Sequence, residues 1–479
     1  MTVDSLSALD ECFLRLETPK AHMHVGWTLL VEGKAPTLAA LRRHVAARLE
    51  QVPRFRRRAV CSRLRLHDPV WVDDESFDVA HHVLTAAAPA GGGMAELRAL
   101  AGELLSAALD RDRPLWRLHL IAGMRGGRWA IVGQVHHALV DGLGTVALAT
   151  LLLDREPVSA AVLPRRFEPQ PSPGLLDRMA ASAGERLRLA RTAGQYALRG
   201  AINPGVVGEG IAAVKRLGGA LASLGTRAPR TSLNRAIGSR RTVAFTQLPV
   251  AAAHELAQRR GVSADDVVLA TASLALGRYF RRADECHPWL RALVPVDTRA
   301  AGAGELGNQI SGVLVELPVG ERDPLVVLHE VARQSRHHER AAHAEPLDAV
   351  VRASRLAPVQ VRDLTAWLLT RPQAFNTVVM NIPGPTDARY LLGRRVQAAY
   401  PAIPLAQGHG LSIGLLSYGA ALHVGLYSDP EIVPDLVALA RDFARAFDAL
   451  RLAVDPRSPR PRRRVPRAGP RRRRVAAPA

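Results

Sequence analysis

Apolar residues recur along this chain with two periods, about two and about 3.6, and the periods alternate segment by segment. Short apolar, strand-like runs predict strands over 23–31, 116–121 and 129–135, with extended segments over 69–72 and 77–83. Helical spacing covers 37–52, with Thr37 as its cap, and 93–109. A second set follows. Strands are predicted over 242–245, 291–296, 312–317, 376–381, 411–418 and 422–427. Helices are predicted over 250–260, 324–342 and 434–450, and over 263–280 with Ser263 or Asp265 near its start.

This alternation implies an α/β protein of two units, 1–155 and 241–455, with a ligand cleft between them. Residues 156–240 join them. That stretch is proline-rich over 164–173, helical and basic over 175–198, and glycine-rich over 205–225. It reads as a linker or a helical insertion, and an amphipathic membrane contact is one reading of it. Residues 456–479 are an Arg- and Pro-rich tail that cannot bury enough apolar surface to fold.

The chemistry concentrates at the end of one strand. The run Trp129-Ala130-Ile131-Val132-Gly133-Gln134-Val135 leads into His136-His137-Ala138-Leu139-Val140-Asp141-Gly142, the pattern HHxxxDG. A strand end can present an imidazole to a cleft, and an imidazole is a general base near neutral pH. Asp141 can brace the loop, and Gly142 permits a close turn. Adjacent residues on a strand point in opposite directions, so His136 and His137 are poorly placed to share one metal ion. No HExxH or cysteine-rich ligand set accompanies them.

Composition changes this picture in two places. Cys12, Cys61 and Cys286 are too few and too scattered for a disulfide framework. The formal charge is +20 over 479 residues, and ten arginines of the tail supply about half of it. Such a tail is a solvated segment or is drawn to an anionic lipid surface. Nucleic acid ranks lower, since no recognition motif or aromatic platform accompanies the charge. The start has no signal-peptide pattern and no run spans a bilayer, so the expected location is cytoplasmic, peripheral at the inner membrane face or on lipid inclusions.

Several blocks together resemble the bacterial wax ester synthase/diacylglycerol acyltransferase family, within the CoA-dependent acyltransferases. They are Leu6-Ser7-Ala8-Leu9-Asp10, the stretch from Phe13 to Thr18, His22-Met23-His24-Val25-Gly26, Pro114-Leu115-Trp116 and HHxxxDG. Further blocks are Asp266-Val267-Val268-Leu269-Ala270, Arg291 to Val296, and Asn381-Ile382-Pro383-Gly384-Pro385. One departure is Asp265, where the family pattern NDVVLA has Asn. It is read first as a helix cap, a position that takes either residue.

The resemblance implies two chloramphenicol acetyltransferase-like subdomains around a cleft or tunnel. It also implies transfer of an acyl group from acyl-CoA to diacylglycerol or a long-chain alcohol, with no cofactor and no metal. His137 would be the base, while His136, Asp141 and Gly142 support the loop and Arg299 is a candidate partner for Asp141. Pro114, Leu115, Trp116, Asp266, Asn308 and Asn381 are candidates to line the cleft, with packing as the rival reading for Pro114 and Trp116 and turn hydrogen bonding for Asn308 and Asn381. The rivals to this function are an acyltransferase fed by a carrier protein and a non-catalytic protein of the inclusion surface.

Overall fold

A computed structural model describes residues 3–62, 64, 66–87, 92–140, 152–158, 167–202, 227–297, 310–342, 362–363 and 370–455. The expectations for Asp141, Gly142, Arg299, Asn308, the 205–225 stretch and the tail lie outside these residues. The first half carries β1 (Asp4–Ser5), α1 (Ala8–Leu16), β2 (His24–Glu32), α2 (Leu38–Arg48), β3 (Arg57–Val60), β4 (Val70–Asp73), β5 (Val83–Ala86), α3 (Met94–Ser106), β6 (Trp116–Met124) and β7 (Arg128–His136). The connection contains α4 (Leu175–Ile202). The second half carries β8 (Thr242–Pro249), α5 (Val250–Arg260), α6 (Ala264–Arg282), β9 (Leu290–Asp297), β10 (Ile310–Leu317), α7 (Pro324–Ala342), β11 (Thr377–Ile382), β12 (Tyr390–Leu391), β13 (Arg394–Ala402), β14 (Leu411–Tyr418), β15 (Ala421–Ser428) and α8 (Leu436–Val454).

Two six-stranded sheets result, in the orders β12-β13-β2-β7-β6-β5 and β10-β9-β11-β14-β15-β8, beside a small sheet β1-β4-β3. The first large sheet is buried on both faces. Leu29, Val31 and Ile131 join one core with Leu41, Val45 and Phe55, while Leu30, Ala130 and Val132 join the other with Leu97, Ala101 and Leu105 of α3. Burial on both sides explains why β2 and β7 read as almost unbroken apolar runs. Helix α6 is enclosed almost all round, which makes it the central helix of the second half.

Several elements depart from the expectations, among them the short strands β1, β3 and β12, which were not predicted. The segment 77–83 is not extended throughout: a short 3₁₀ turn at Val79–His81, capped by the Asp78 carboxylate, precedes β5. Helix α1 was not expected from periodicity, since it is only nine residues long and rich in charge. A capping box fixes its start, with Ser7 Oγ accepting from Asp10 N–H and Asp10 answering on Ser7 N–H. Strand β13 was also unexpected. Its run of Ala with Pro401 lacks β-propensity, and a register irregularity between Val396 and Ala398 breaks its alternation. Yet β13 pairs with β2 of the first half, placing Pro401 opposite Trp27.

The two large sheets meet at this borrowed strand. Gly414 of β14 and Gly425 of β15 are register partners, and Pro401 lies against both. A Cβ on Gly425 would overlap the Pro401 carbonyl oxygen, so the approach requires glycine there.

Candidate active site

The ladder of β2 and β7 sets His24 opposite His136, so the HH pair stands where both strands end. Beyond the ladder the backbone stays tied on both sides. His136 N–H donates to Leu115 O and His137 N–H to Met23 O, each at 2.9 Å. Met23 holds a positive φ of 47°, a strained conformation for a residue with a side chain. Its carbonyl is thereby presented to His137.

The two imidazoles have different surroundings. His136 is fully enclosed, at 0% exposure. Its Nδ1 accepts from Ala138 N–H at 3.0 Å, so in the neutral ring the proton sits on Nε2. That nitrogen faces Glu17 Oε2 at 3.6 Å, an electrostatic contact longer than a hydrogen bond. Glu17 is in turn paired with Arg111. Burial holds the His136 pKa below its ordinary value, against the pull of Glu17. Glu17 is itself lowered, since His136 and Arg111 outweigh its desolvation. His137 retains 7% exposure, and its ring stacks on Phe13 of α1 with centroids 3.8 Å apart and planes 11° apart. One histidine is therefore locked into a support network, and the other presents a flat, oriented ring.

Glu17, Arg111 and Phe13 were not assigned these roles from the sequence. Each meets its histidine across about 25 to 125 residues of chain, and no local spacing signals such contacts. Their only trace is that Phe13 and Glu17 fall within the opening block. Among the residues read as cleft-lining, Leu115 is buried and supplies the carbonyl for His136. Trp116 points into the core, where its indole N–H donates to Phe55 O at 2.7 Å and its ring stacks on His82.

The reading of Asp265 as a helix cap is corrected. Ser263 is the cap of α6, in a capping box with Asp266. Asp265 instead accepts from the Asn381 side chain at 2.6 Å, which ties the start of α6 to β11. A carboxylate suits this role because Asn381 supplies the donor. Asp266 and Asn381 each keep one buried side-chain oxygen without a partner.

Behind the pair lies a buried histidine group. His22 Nε2 donates to Pro19 O and His24 Nε2 to Leu105 O, both at 3.0 Å, and each leaves a buried Nδ1 without a partner. Leu105 O, near the C-terminus of α3, also accepts from Tyr427 Oη of β15 at 3.1 Å. That carbonyl is an orphan of the helix end, satisfied here from both halves. Burial lowers the pKa of His22, and holds His24 down at about 3.

Residues 6–268 match the wax ester synthase/diacylglycerol acyltransferase catalytic domain, and residues 306–451 match the C-terminal domain of the same enzymes. The chain belongs to this family. Among its relatives is the probable diacylglycerol O-acyltransferase tgs1 of Mycobacterium tuberculosis, 30% identical over 96% of this chain and 98% of that one. The solved wax ester synthase/diacylglycerol acyltransferase from Marinobacter aquaeolei VT8 superposes with a TM-score of 0.68 at 25% identity, covering 94% of this chain and 99% of the other. The first condensation domain of the calcium-dependent antibiotic synthetase shares the fold, with a TM-score of 0.61 at 18% identity over 95% and 97% of the two chains. Membership makes this wax ester synthase/diacylglycerol acyltransferase homologue an acyl-CoA-dependent acyltransferase, in an α/β fold of two subdomains.

Two expectations concern the support network. Glu17→Gln leaves an acceptor for His136 but removes the counter-charge of Arg111, and should cost about 1 kcal/mol of stability. Glu17→Ala strands both partners and should cost roughly 2–3 kcal/mol. Equal urea midpoints for the two variants would remove the pairing from the account. The second expectation is a stability that falls with pH. His22, His24 and His136 all have folded pKa values below the ordinary 6.5. As pH drops through 6.5 the unfolded chain takes up protons that these folded rings refuse, so stability present above 6.5 is lost below it. For His24 the loss continues to about 3. It contributes a slope of up to about 1.4 kcal/mol per pH unit. Urea midpoints at pH 7.5 and 5.5 test this, and equal values would contradict it.

Proposed function

We propose that this enzyme transfers a long-chain acyl group from acyl-CoA directly to the hydroxyl of diacylglycerol or a long-chain alcohol, with His137 as the general base. The observation that carries this assignment is the contrast within the HH pair. His136 is sealed in, with Nδ1 accepting from Ala138 N–H and Nε2 facing the Glu17 carboxylate at 3.6 Å, whereas His137 keeps some exposure and a ring plane set by Phe13. An alcohol becomes an effective nucleophile when a base receives its proton as the new bond forms.

The steps balance without a cofactor. His137 takes the hydroxyl proton while the alcohol oxygen attacks the thioester carbonyl. The tetrahedral oxyanion collapses, the carbon–sulfur bond breaks, and the CoA sulfur leaves with the proton returned from His137. The products are the ester and free CoA. Asp141 and Gly142 hold the loop after the histidines in this proposal, and Asn308 and Asn381 contribute polar groups at the cleft. The two catalytic subdomains are 1–155 and 241–455, with 394–402 lent to the first, joined by 156–240.

A lipid acceptor implies work at a lipid surface. No helix among the described residues is long and apolar enough to cross a membrane. The proposed location is accordingly peripheral, at the inner membrane face or on lipid inclusions, with the 456–479 tail adding electrostatic attraction.

The test is purified protein with labelled palmitoyl-CoA, offered diolein or hexadecanol in detergent, with products separated by lipid class. Labelled triacylglycerol or wax ester is the expected result. Acyl transfer from an acyl-carrier-protein thioester and none from acyl-CoA would overturn the donor assignment.

A further inference from the structure

An ordinary surface helix turns its apolar stripe inward and its charges outward. Helix α4 does the reverse. Its inner side is tied to the loop between β3 and β4: Ser182, almost fully buried, accepts Asp68 N–H at 2.9 Å, and Arg186 pairs with the Asp68 carboxylate at 3.1 Å. Its outer side carries Leu176, Ala180, Ala183, Leu187, Ala190 and Gly194, spaced alternately four and three residues apart, five with apolar side chains and the glycine with none. That spacing places them on one face of the helix.

The loop that α4 grips carries exposed apolar residues of its own. Of the eight large apolar side chains left exposed among the described residues, Leu175, Leu176, Met179 and Leu187 lie on α4, and Leu64 and Leu66 lie in the loop. Leu64 is 80% exposed and Leu176 79%. Exposed apolar side chains scattered singly need no explanation, but six of the eight lie on one helix and the loop bonded to it, which marks an interaction surface.

Charge identifies what the surface meets. Helix α4 contains five arginines against two acidic residues. Arg186, Arg188 and Arg191 are exposed along it. Apolar residues rimmed by arginine are the pattern of a helix lying in a lipid interface, its apolar side sunk among the acyl chains and its cations at the headgroups. A second copy laid on this face would set one arginine rim against another, whereas an anionic bilayer neutralises it.

We infer that α4, with Leu64 and Leu66 of the adjoining loop, forms the surface by which this enzyme lies on an anionic phospholipid bilayer. The inference deepens the proposed function, resting on it only for the use of such a surface. Position fits that use. Asp68 also receives Arg362 at 2.8 Å, and the same guanidinium reaches Glu11 at 3.1 Å in α1. Helix α1 carries Phe13, the residue stacked on His137. The surface therefore connects to the site through one buried ion-pair cluster.

The experiment is sedimentation of the full chain with vesicles of phosphatidylcholine and phosphatidylglycerol, compared with phosphatidylcholine alone. The wild type should partition to the anionic vesicles, and less so as salt rises. L176Q/M179Q/L187Q keeps helix-forming residues at exposed positions. It should retain its circular dichroism spectrum and its turnover on detergent-dispersed substrate, yet bind vesicles at least about tenfold more weakly. In a separate variant, Leu187→Trp, the introduced indole should shift its emission to the blue when anionic vesicles are added. Truncation after Asp455 measures the tail's share on its own. Wild-type binding by the triple variant, with no shift for Leu187→Trp, would overturn the inference. So would a dimer seen in ultracentrifugation that the triple variant abolishes while vesicle binding is unchanged. Protein that binds vesicles as expected but transfers no acyl group would refute the proposed function and leave the surface standing.

Discussion

His137→Ala lowers turnover by roughly two to four orders of magnitude, the usual cost of removing a general base. The fold should survive. The ring stacks on Phe13, a contact worth about 1 kcal/mol beyond its buried area. Its backbone N–H bond to Met23 O does not depend on the side chain. His136→Ala should behave in the opposite way. It removes the acceptor for Ala138 N–H and the neighbour of the Glu17 carboxylate inside a sealed network. Its cost is about 2–4 kcal/mol of stability, and activity should follow the folded fraction. Turnover and denaturation midpoints measured on both variants separate these outcomes. A folded His137→Ala enzyme with near-normal turnover refutes the base assignment.

Gly425→Ala should be the most damaging of the small substitutions, at about 3 kcal/mol or more, or enough to prevent soluble expression. The added methyl meets the Pro401 carbonyl, which is backbone and cannot rotate aside. Strand β15 cannot shift either, since it is hydrogen-bonded to β14 on one side and β8 on the other. Relief would require β13 to part from the second sheet, and β13 is held in the first by β2. A urea midpoint lowered by less than the equivalent of about 1 kcal/mol would show that the sheets separate easily there.

These two residues differ in how far they could be read from the chain. His137 stood out because β7 is an apolar run that ends at a polar pair, and its family pattern is local. The role of Gly425 depends on Pro401, a neighbour only in space. The same division holds throughout. Thr37 was legible as a cap, and its hydroxyl does accept from Ala40 N–H. Asp265 was misread because a carboxylate in the first turn resembles a cap in sequence, while Ser263 two residues earlier takes that place. Its partner Asn381 lies on a strand more than a hundred residues later. The buried partners of His136 were invisible for the same reason. Local pattern carries periodicity and capping, whereas long-range ion pairs and close backbone approaches leave no periodic trace.

Strand β13 has a consequence for how the protein is made. While the ribosome has delivered only the first half, β2 stands at an open sheet edge with its outer backbone groups unpaired. The strand that covers it emerges after most of the remaining chain has been synthesised. An open edge of this kind invites pairing with other chains, and such distant pairing is slow to form. The catalytic half excised alone should therefore aggregate. Supplying the second half in trans should restore both solubility and turnover, as strand exchange does in split proteins.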